Sequence, residues 1–244
     1  MSNKVVAVIP ARYGSTRFPG KPLALIAGKP MIQWTYEKAV ASKVDEAVVA
    51  TDDQRIFDCV IGFGGKAVMT SADHPSGTDR IEEAIRGLDC DLVINLQGDE
   101  PMLPSEVIDE LVDRMLGRDD VQMGTVAVPV CADSEEASDP NVVKVVLAQD
   151  DTALYFSRST LPYYRNKPVG ATVLTHWGIY AYRPQLLKDF VTWEQGSLEA
   201  SESLEQLRVL ENGVKILVIQ SDQRCIGVDV PEDLDKVEAL LKEI

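Results

Sequence analysis

Short apolar runs alternate along the first half of the chain with segments whose apolar residues recur every three or four positions. The runs "VVAVIP" (5–10), "AVVAT" (47–51), "KAVM" (66–69) and "LVINLQ" (92–97) have the length of buried strands. Between them, Ile32, Tyr36, Ala39 and Val40 predict one helical stripe, and a second helix is expected from about Gln54 to Phe63. Val107, Ile108, Leu111, Val112 and Met115 predict a further helix opening at Pro104-Ser105. Such strand–helix–strand repetition implies an α/β fold with a doubly wound, mostly parallel sheet. A ligand then belongs beyond the carboxyl ends of the strands.

The second half is less regular. Residues 142–148 and 153–156 read as strands, and a polar loop runs through "RSTLPYYRNKPVGATVLT" to the strand-like "HWGIYAYR". Ser197 is positioned to cap a helix with Leu204, Leu207 and Leu210 on its apolar stripe. After "KILVIQ", the segment "GVDVPEDLDKVEALLKEI" begins with a turn and ends in a helix, with Leu234, Val237, Leu240 and Leu241 facing inward. Without a repeat or obvious linker, 1–244 is expected as one continuous domain. About 1–130 forms a first half, and about 131–244 carries an inserted binding region.

Composition narrows the classes. At 244 residues, 45% hydrophobic and 26% charged, the chain has material for a large core. No apolar run approaches the ~20 residues of a bilayer span, so membrane insertion is not expected. The start lacks the longer apolar stretch and cleavage site of a signal peptide. Cys59, Cys90, Cys131 and Cys225 are scattered without a CxxC pair, and read as reduced, mostly buried thiols in a cytoplasmic protein. A formal net charge of −15 argues against a nucleic-acid partner, which needs broad basic surfaces.

Charge is unevenly placed, and this changes the picture. From Met1 to Tyr36 there are five basic residues and no acidic one, which leaves −20 for the remainder. Arg12, Arg17 and Lys21 fall in "AVIPARYGSTRFPGKPL", directly after the first strand. Gly14, Gly20 and Lys21 invite comparison with the phosphate loop G-x-x-x-x-G-K-[ST]. Five residues separate the glycines, however, and Pro22 stands where the Ser or Thr would be. The dinucleotide pattern G-x-G-x-x-G is also absent. A glycine-punctuated loop with three cations, stiffened by Pro19 and Pro22, still suits a small anion. An accidentally charged surface loop is the plainer reading, and the company of two carboxylates weighs against it.

Those carboxylates are Asp99, past the strand in "VINLQGDEP", and Asp229, in "CIGVDVPEDL". Either alone would serve as a turn or cap residue. Together with an anion-binding loop they suggest two hard oxygen ligands for Mg²⁺, leaving positions for phosphate oxygens. No His/Cys cluster suggests zinc.

"PARYGSTRFPGKPL", "TDD", "SGTDR", "QGDEP", "ALYFSRSTLP", "HWGIYAYR", "LEQLR" and "VDVPEDL" occur in the order and approximate spacing of the 3-deoxy-manno-octulosonate (KDO) cytidylyltransferases, which the chain resembles over nearly its whole length. The first and fourth motifs are shared with wider sugar nucleotidyltransferases; "SGTDR", "ALYFSR" and "LEQLR" are more specific. The resemblance implies a nucleotide-diphospho-sugar transferase-like sheet with an inserted sugar-binding and dimerisation region, and a homodimer. It implies CMP transfer from CTP to the anomeric hydroxyl of KDO, with pyrophosphate released, for lipopolysaccharide biosynthesis. By motif, Arg12, Arg17 and Lys21 face the CTP phosphates. Gly77, Thr78 and Arg80, with backbone at Pro10 and Ala11, recognise the cytidine, and Asp99 and Asp229 ligate Mg²⁺. Arg158, His176, Glu205 and Gln206 line the sugar site, Arg158 as partner for the sugar carboxylate.

Such chemistry needs no covalent nucleophile, only alignment and charge neutralisation by groups such as Arg17 and Lys21. His176 serves equally well as a hydrogen-bonded residue shaping the pocket, and His74, in the "ADHPSGTDR" loop, is positional. Trp177, the residues Ala200, Ser201 and Ser203, and a short loop over 162–175 depart from the family pattern. All border the sugar site, so an 8-amino variant of KDO is an alternative substrate. Sialate is a second, disfavoured by "SGTDR" and "LEQLR". A catalytically silent nucleotide-binding module or a mere scaffold is the alternative of another class.

Overall fold

Seven consecutive residues, Val5–Ala11, form β1, and all but Pro10 are buried. Strands covered on both faces need such uninterrupted apolar runs. In this computed structural model, which describes residues 3–14, 18–223 and 226–241, the chain divides into two compact units. One is Met1–Val112 with Cys225–Ile244, the other Asp113–Arg224.

In the first unit β1 is followed by a short hairpin, β2 (Leu25–Ile26) and β3 (Lys29–Pro30), and by α1 (Met31–Val40). Then come β4 (Glu46–Thr51), α2 (Gln54–Gly62), β5 (Ala67–Met69), α3 (Gly77–Ile85) and β6 (Leu92–Asn95). Helix α4 (Ser105–Leu116) buries Val107, Ile108, Leu111, Val112 and Met115, the stripe expected from the sequence. The four long strands are parallel, in the order β6-β1-β4-β5. The chain winds outward from β1 through β4 to β5, then returns to the other side of β1. The switch point therefore lies between the carboxyl ends of β1 and β6, where sheets of this kind leave a crevice.

Two expectations in this unit need correction. Val40 is 58% exposed, and Thr35 joins Ile32 and Ala39 on the buried face instead. Eight residues beyond Ile32, Val40 has rotated by roughly 80° around the helix axis. The "ADHPSGTDR" segment is a loop only as far as Ser76. Ser76 caps α3, its Oγ accepting from the Asp79 N–H, so "GTDR" is the first turn of a helix.

The second unit comprises β7 (Met123–Cys131), α5 (Glu135–Ser138), β8 (Lys144–Leu147), β9 (Ala153–Ser157) and β10 (Thr172–Tyr182). It continues with α6 (Pro184–Phe190), α7 (Ser197–Glu202), α8 (Gln206–Glu211) and β11 (Ile216–Gln220). Strand β7 is central, antiparallel to β10 and parallel to β11, and β8 pairs antiparallel with β10 and β9. The polar loop stops at Ala171, since "TVLT" already belongs to β10.

The single helix expected after Ser197 is broken in two at Ser203, which is left-handed at φ 53° and ψ 51°. Nor does Ser197 cap it. The N-cap is Gly196, and the Glu211 carboxylate accepts the Leu198 and Glu199 N–H groups at 3.0 and 3.2 Å. Leu204 and Leu207 are buried as expected.

The last helix, α9 (Glu232–Leu241), belongs to the first unit. Val237 and Val228 pack with Ile26 and Met31, and Phe18, Trp34, Met102, Leu234 and Leu241 complete this cluster. The cysteines also depart from expectation: Cys59 and Cys90 are only half-buried and Cys131 is exposed. Cys225 lies outside the described residues. Among the described residues no helix is long and apolar enough to cross a membrane.

Candidate active site

The expected basic loop leaves β1 at the switch point and turns back on itself before Lys21. Gly20 closes the turn with its N–H on the Tyr13 carbonyl at 2.9 Å, and its φ of +73° is one that L side chains rarely adopt. A Cβ there would also lie 3.1 Å from the Tyr13 ring, whose face carries the Arg55 guanidinium 3.3 Å away. With Pro22 next to it, Lys21 opens a short 3-10 turn, Lys21–Leu23. Its stem is thereby aimed away from the turn.

Lys21 Nζ donates to Asp99 Oδ2 at 2.6 Å and to the Val228 carbonyl at 2.9 Å, and lies 3.9 Å from Asp229 Oδ1. The two expected aspartates thus converge on one ammonium, although 130 residues separate them in sequence. Asp99 follows β6 by four residues, across Gly98. A Cβ on Gly98 would come to 3.4 Å from the Pro10 carbonyl and from Ile32 Cδ1. Asp229 arrives on the strap that precedes α9. That strap is tied down by the Val228 N–H donating to the Asp99 carbonyl at 2.9 Å, and by the Asp233 carboxylate accepting the Asp229 N–H at 3.0 Å. The ammonium is mostly covered, while Asp99 and Asp229 keep 35% and 58% of their side-chain surface. Two accessible carboxylate groups and a carbonyl oxygen are hard donors suited to Mg²⁺. Among the described residues there is no group of three or more His, Cys, Asp or Glu side chains arranged for a metal. Any ion here would need oxygens from a substrate or water to complete its shell.

The other expected nucleotide residues lie around the same strand ends. Pro10 and Ala11 end β1, and Arg12 NH2 donates to the His74 carbonyl at 2.9 Å. His74 is held in turn through its ring Nε2 by the Glu83 carboxylate. Gly77 brings α3 against Pro10, where a Cβ would stand 3.8 Å from the Pro10 ring. Thr78 is buried. Arg80 is fully buried and bonds Asp52 Oδ2 at 2.8 Å and Thr70 Oγ1, so it braces the floor of this region from within. Arg80 Nε has no hydrogen-bond partner, the one such buried side-chain atom among the described residues. Arg17 lies outside the described residues.

The expected sugar residues all belong to the second unit. Arg158 donates from Nε to the Glu202 carbonyl at 2.7 Å, from NH1 to the Pro140 carbonyl at 3.0 Å and from NH2 to the Ser203 carbonyl at 3.4 Å. It thereby caps the carboxyl end of α7, and only part of its guanidinium remains for another acceptor. Glu202 answers by accepting the Ser157 hydroxyl at 2.6 Å and the Arg158 N–H at 2.9 Å. His176 Nε2 meets Thr125 Oγ1 at 2.9 Å, with its ring edge-on to Phe156 and tilted against Tyr180. Desolvation pushes its pKa down to about 3, so it is neutral at ordinary pH. Glu205 is the N-cap of α8, and Gln206 is buried with the Tyr180 hydroxyl 3.5 Å from its Oε1. Arg208 of "LEQLR" forms a bidentate pair with buried Glu199 at 2.6 and 2.7 Å and covers the Phe190 ring.

Sequence reasoning missed several supports. The Val228 carbonyl left no signal, because backbone atoms carry none. Asp52 stood in the quoted "TDD" motif, but its pairing with Arg80, and the part of Thr70 beside it, were invisible without the fold. Ser76 was legible, since Ser-x-x-Asp before an apolar stripe is close to a capping box.

A cationic turn set against two aspartates at the switch point of a parallel sheet defines a nucleotidyltransferase type of site. The cytidylyltransferase family model matches residues 6–216. The 3-deoxy-manno-octulosonate cytidylyltransferase of Trichlorobacter lovleyi is 47% identical, with 98% of this chain and 99% of that protein covered. Its counterpart in Thermodesulfovibrio yellowstonii is 49% identical over 97% of each. A solved structure of CMP:2-keto-3-deoxy-manno-octonic acid synthetase complexed with CTP superposes with a TM-score of 0.94 at 46% identity, covering 98% of this chain and 99% of that one. The chain belongs to the 3-deoxy-manno-octulosonate cytidylyltransferase family.

Proposed function

We propose that this chain transfers CMP from CTP to the anomeric hydroxyl of KDO, as a step in lipopolysaccharide synthesis. The observation that carries the site assignment is the convergence of Asp99, Asp229 and Lys21 at the end of β1 and β6. The triphosphate lies along the basic segment, with Arg12, Arg17 and Lys21 as its expected partners. The sugar oxygen forms a bond to the α-phosphorus as the bond to the β-phosphate bridging oxygen breaks, and the hydroxyl proton leaves to solvent. Arg17 and Lys21 neutralise charge on the departing pyrophosphate. Asp99 and Asp229 would hold Mg²⁺, which when bound polarises phosphate oxygens and lowers the pKa of the attacking hydroxyl. No side-chain general base is assigned, and a neutral His176 fits the role of shaping the sugar pocket. Arg158 meets the sugar carboxylate with the N–H groups its carbonyl bonds leave over. The reading includes a homodimer and a cytoplasmic location.

The test is pyrophosphate release with CTP and Mg²⁺ across a panel of KDO, 8-amino-KDO and N-acetylneuraminate. Turnover with KDO is expected, and turnover confined to N-acetylneuraminate would refute the assignment. Asp99→Asn and Asp229→Asn should each lower kcat by about 100-fold or more, because an amide is a much weaker ligand for a divalent cation than a carboxylate. A dimer predicts a sedimentation mass twice that of one chain.

A further inference from the structure

The position of Lys21 poses a problem for the function just proposed, on which this inference rests. Its ammonium touches the oxygens that a divalent cation would need: Asp99 Oδ2 at 2.6 Å, the Val228 carbonyl at 2.9 Å and Asp229 Oδ1 at 3.9 Å. Mg²⁺ binds oxygens at about 2.1 Å, so an ion held between both carboxylates would lie within contact distance of Nζ. Two cations cannot share that space at low cost, because the ammonium is largely covered from water and the repulsion is poorly screened. One must leave, and the lysine has somewhere to go. It follows the basic, glycine-punctuated segment after β1, on a flexible four-carbon stem.

We propose that Lys21 is a resident counter-cation that occupies the aspartate pair until a nucleotide triphosphate draws its ammonium away, making metal entry conditional on the nucleotide. The platform supports an exchange of this kind. Asp99 and Val228 are fastened to each other by a backbone hydrogen bond, and the strap at Asp229 is fastened to Asp233. The backbone that carries these oxygens is therefore held when the ammonium moves, and the lysine stem can leave by a change of rotamer. Lys21 is in this sense a positioning residue for the cation as well as a phosphate contact.

The exchange predicts an inverted effect of removing the lysine. A neutral side chain removes the ammonium from the oxygens of Asp99, Val228 and Asp229, so Lys21→Gln and Lys21→Met should bind Mn²⁺ alone, without nucleotide, at least tenfold more tightly than the unsubstituted protein. Lys21→Arg, which keeps the charge, should not. Mn²⁺ binding is read by loss of the free-ion electron paramagnetic resonance signal, and Asp99→Asn in the Lys21→Gln background should abolish the gain. Equal or weaker Mn²⁺ binding by the neutral variants would overturn the proposal. Two neutral variants guard against one failing to fold, checked by circular dichroism. A direct readout on the unsubstituted protein is the ¹⁵Nζ resonance of Lys21, which must shift when saturating CTP is added in EDTA; an unmoved resonance with CTP bound is also a refutation. These outcomes are independent of the substrate panel. Tight Mn²⁺ binding without turnover on any sugar acid would defeat the proposed reaction while leaving the exchange intact.

Discussion

Lys144 is wholly buried and, among the described residues, has no carboxylate in hydrogen-bond contact; its ammonium donates instead to the carbonyls of Asp139, Val142 and Arg158. Desolvation lowers its pKa. It joins the loop before β8 to the end of β9, the same place where Arg158 gathers Pro140, Glu202 and Ser203. Lys144→Met would strand three acceptors and should cost about 2 kcal/mol or more, measured by urea unfolding. His176 makes a different prediction. In the unfolded chain it protonates near 6.5, whereas the folded protein resists until about 3. Protonation in that interval favours the unfolded state, so this contribution to stability is complete above pH 6.5 and is lost as pH falls toward 3. His176→Gln should flatten that part of the stability–pH curve, as followed by melting temperature between pH 4 and 7.

At the scale of elements, the turn between β1 and the 3-10 segment depends on a backbone that only glycine adopts easily. Gly20→Ala would add both left-handed strain and a contact with Tyr13. A cost of about 1–2 kcal/mol follows, with a loss of CTP affinity as the turn shifts Lys21. Both are measurable, by thermal melting and by nucleotide titration. The same scale shows what the sequence could reveal. Buried parallel strands such as Val5–Ala11 and Leu92–Asn95 were plain because both faces are covered, so apolar residues run without a break. Strand β7 was missed, since Gly124 and Pro129 interrupt its apolar run and weaken the signal, although its neighbours supply the pairing. Helix α3 announced only its cap, Ser76, because its first turn, Gly77 to Arg80, is polar and its buried residues include Arg80 and Glu82. The break in α7 and α8 rests on one left-handed serine, which has no sequence signature.

On the scale of the whole molecule, the site is assembled from distant parts of the chain. Lys21, Asp99 and Asp229 were named from local motifs, and their convergence is a property of the first unit's topology. The apolar cluster around Val237 performs that assembly, because it fixes α9 beside the hairpin that follows the basic turn. Val237→Ala should lower stability by about 2 kcal/mol through the cavity it leaves. It should also weaken Mn²⁺ binding by Lys21→Gln, since the strap bearing Asp229 loses its anchor; a calorimetric titration reads both. Arg158 marks the limit of motif reasoning at this scale. Its position was legible, but its carbonyl bonds came from residues 18 to 45 places away.

The return of α9 to the first unit has an outcome in time as well as in space. The four parallel strands of the first unit are complete by residue 95, more than a hundred positions before the second aspartate is synthesised. A growing polypeptide can therefore shape the crevice beside β1 early, and on the proposed role of Asp229 its chemistry waits until α9 docks. On the proposed role of Asp229, a fragment interrupted ahead of residue 229 is expected to bind CTP at most and to release no pyrophosphate, which a turnover assay on the truncated chain checks.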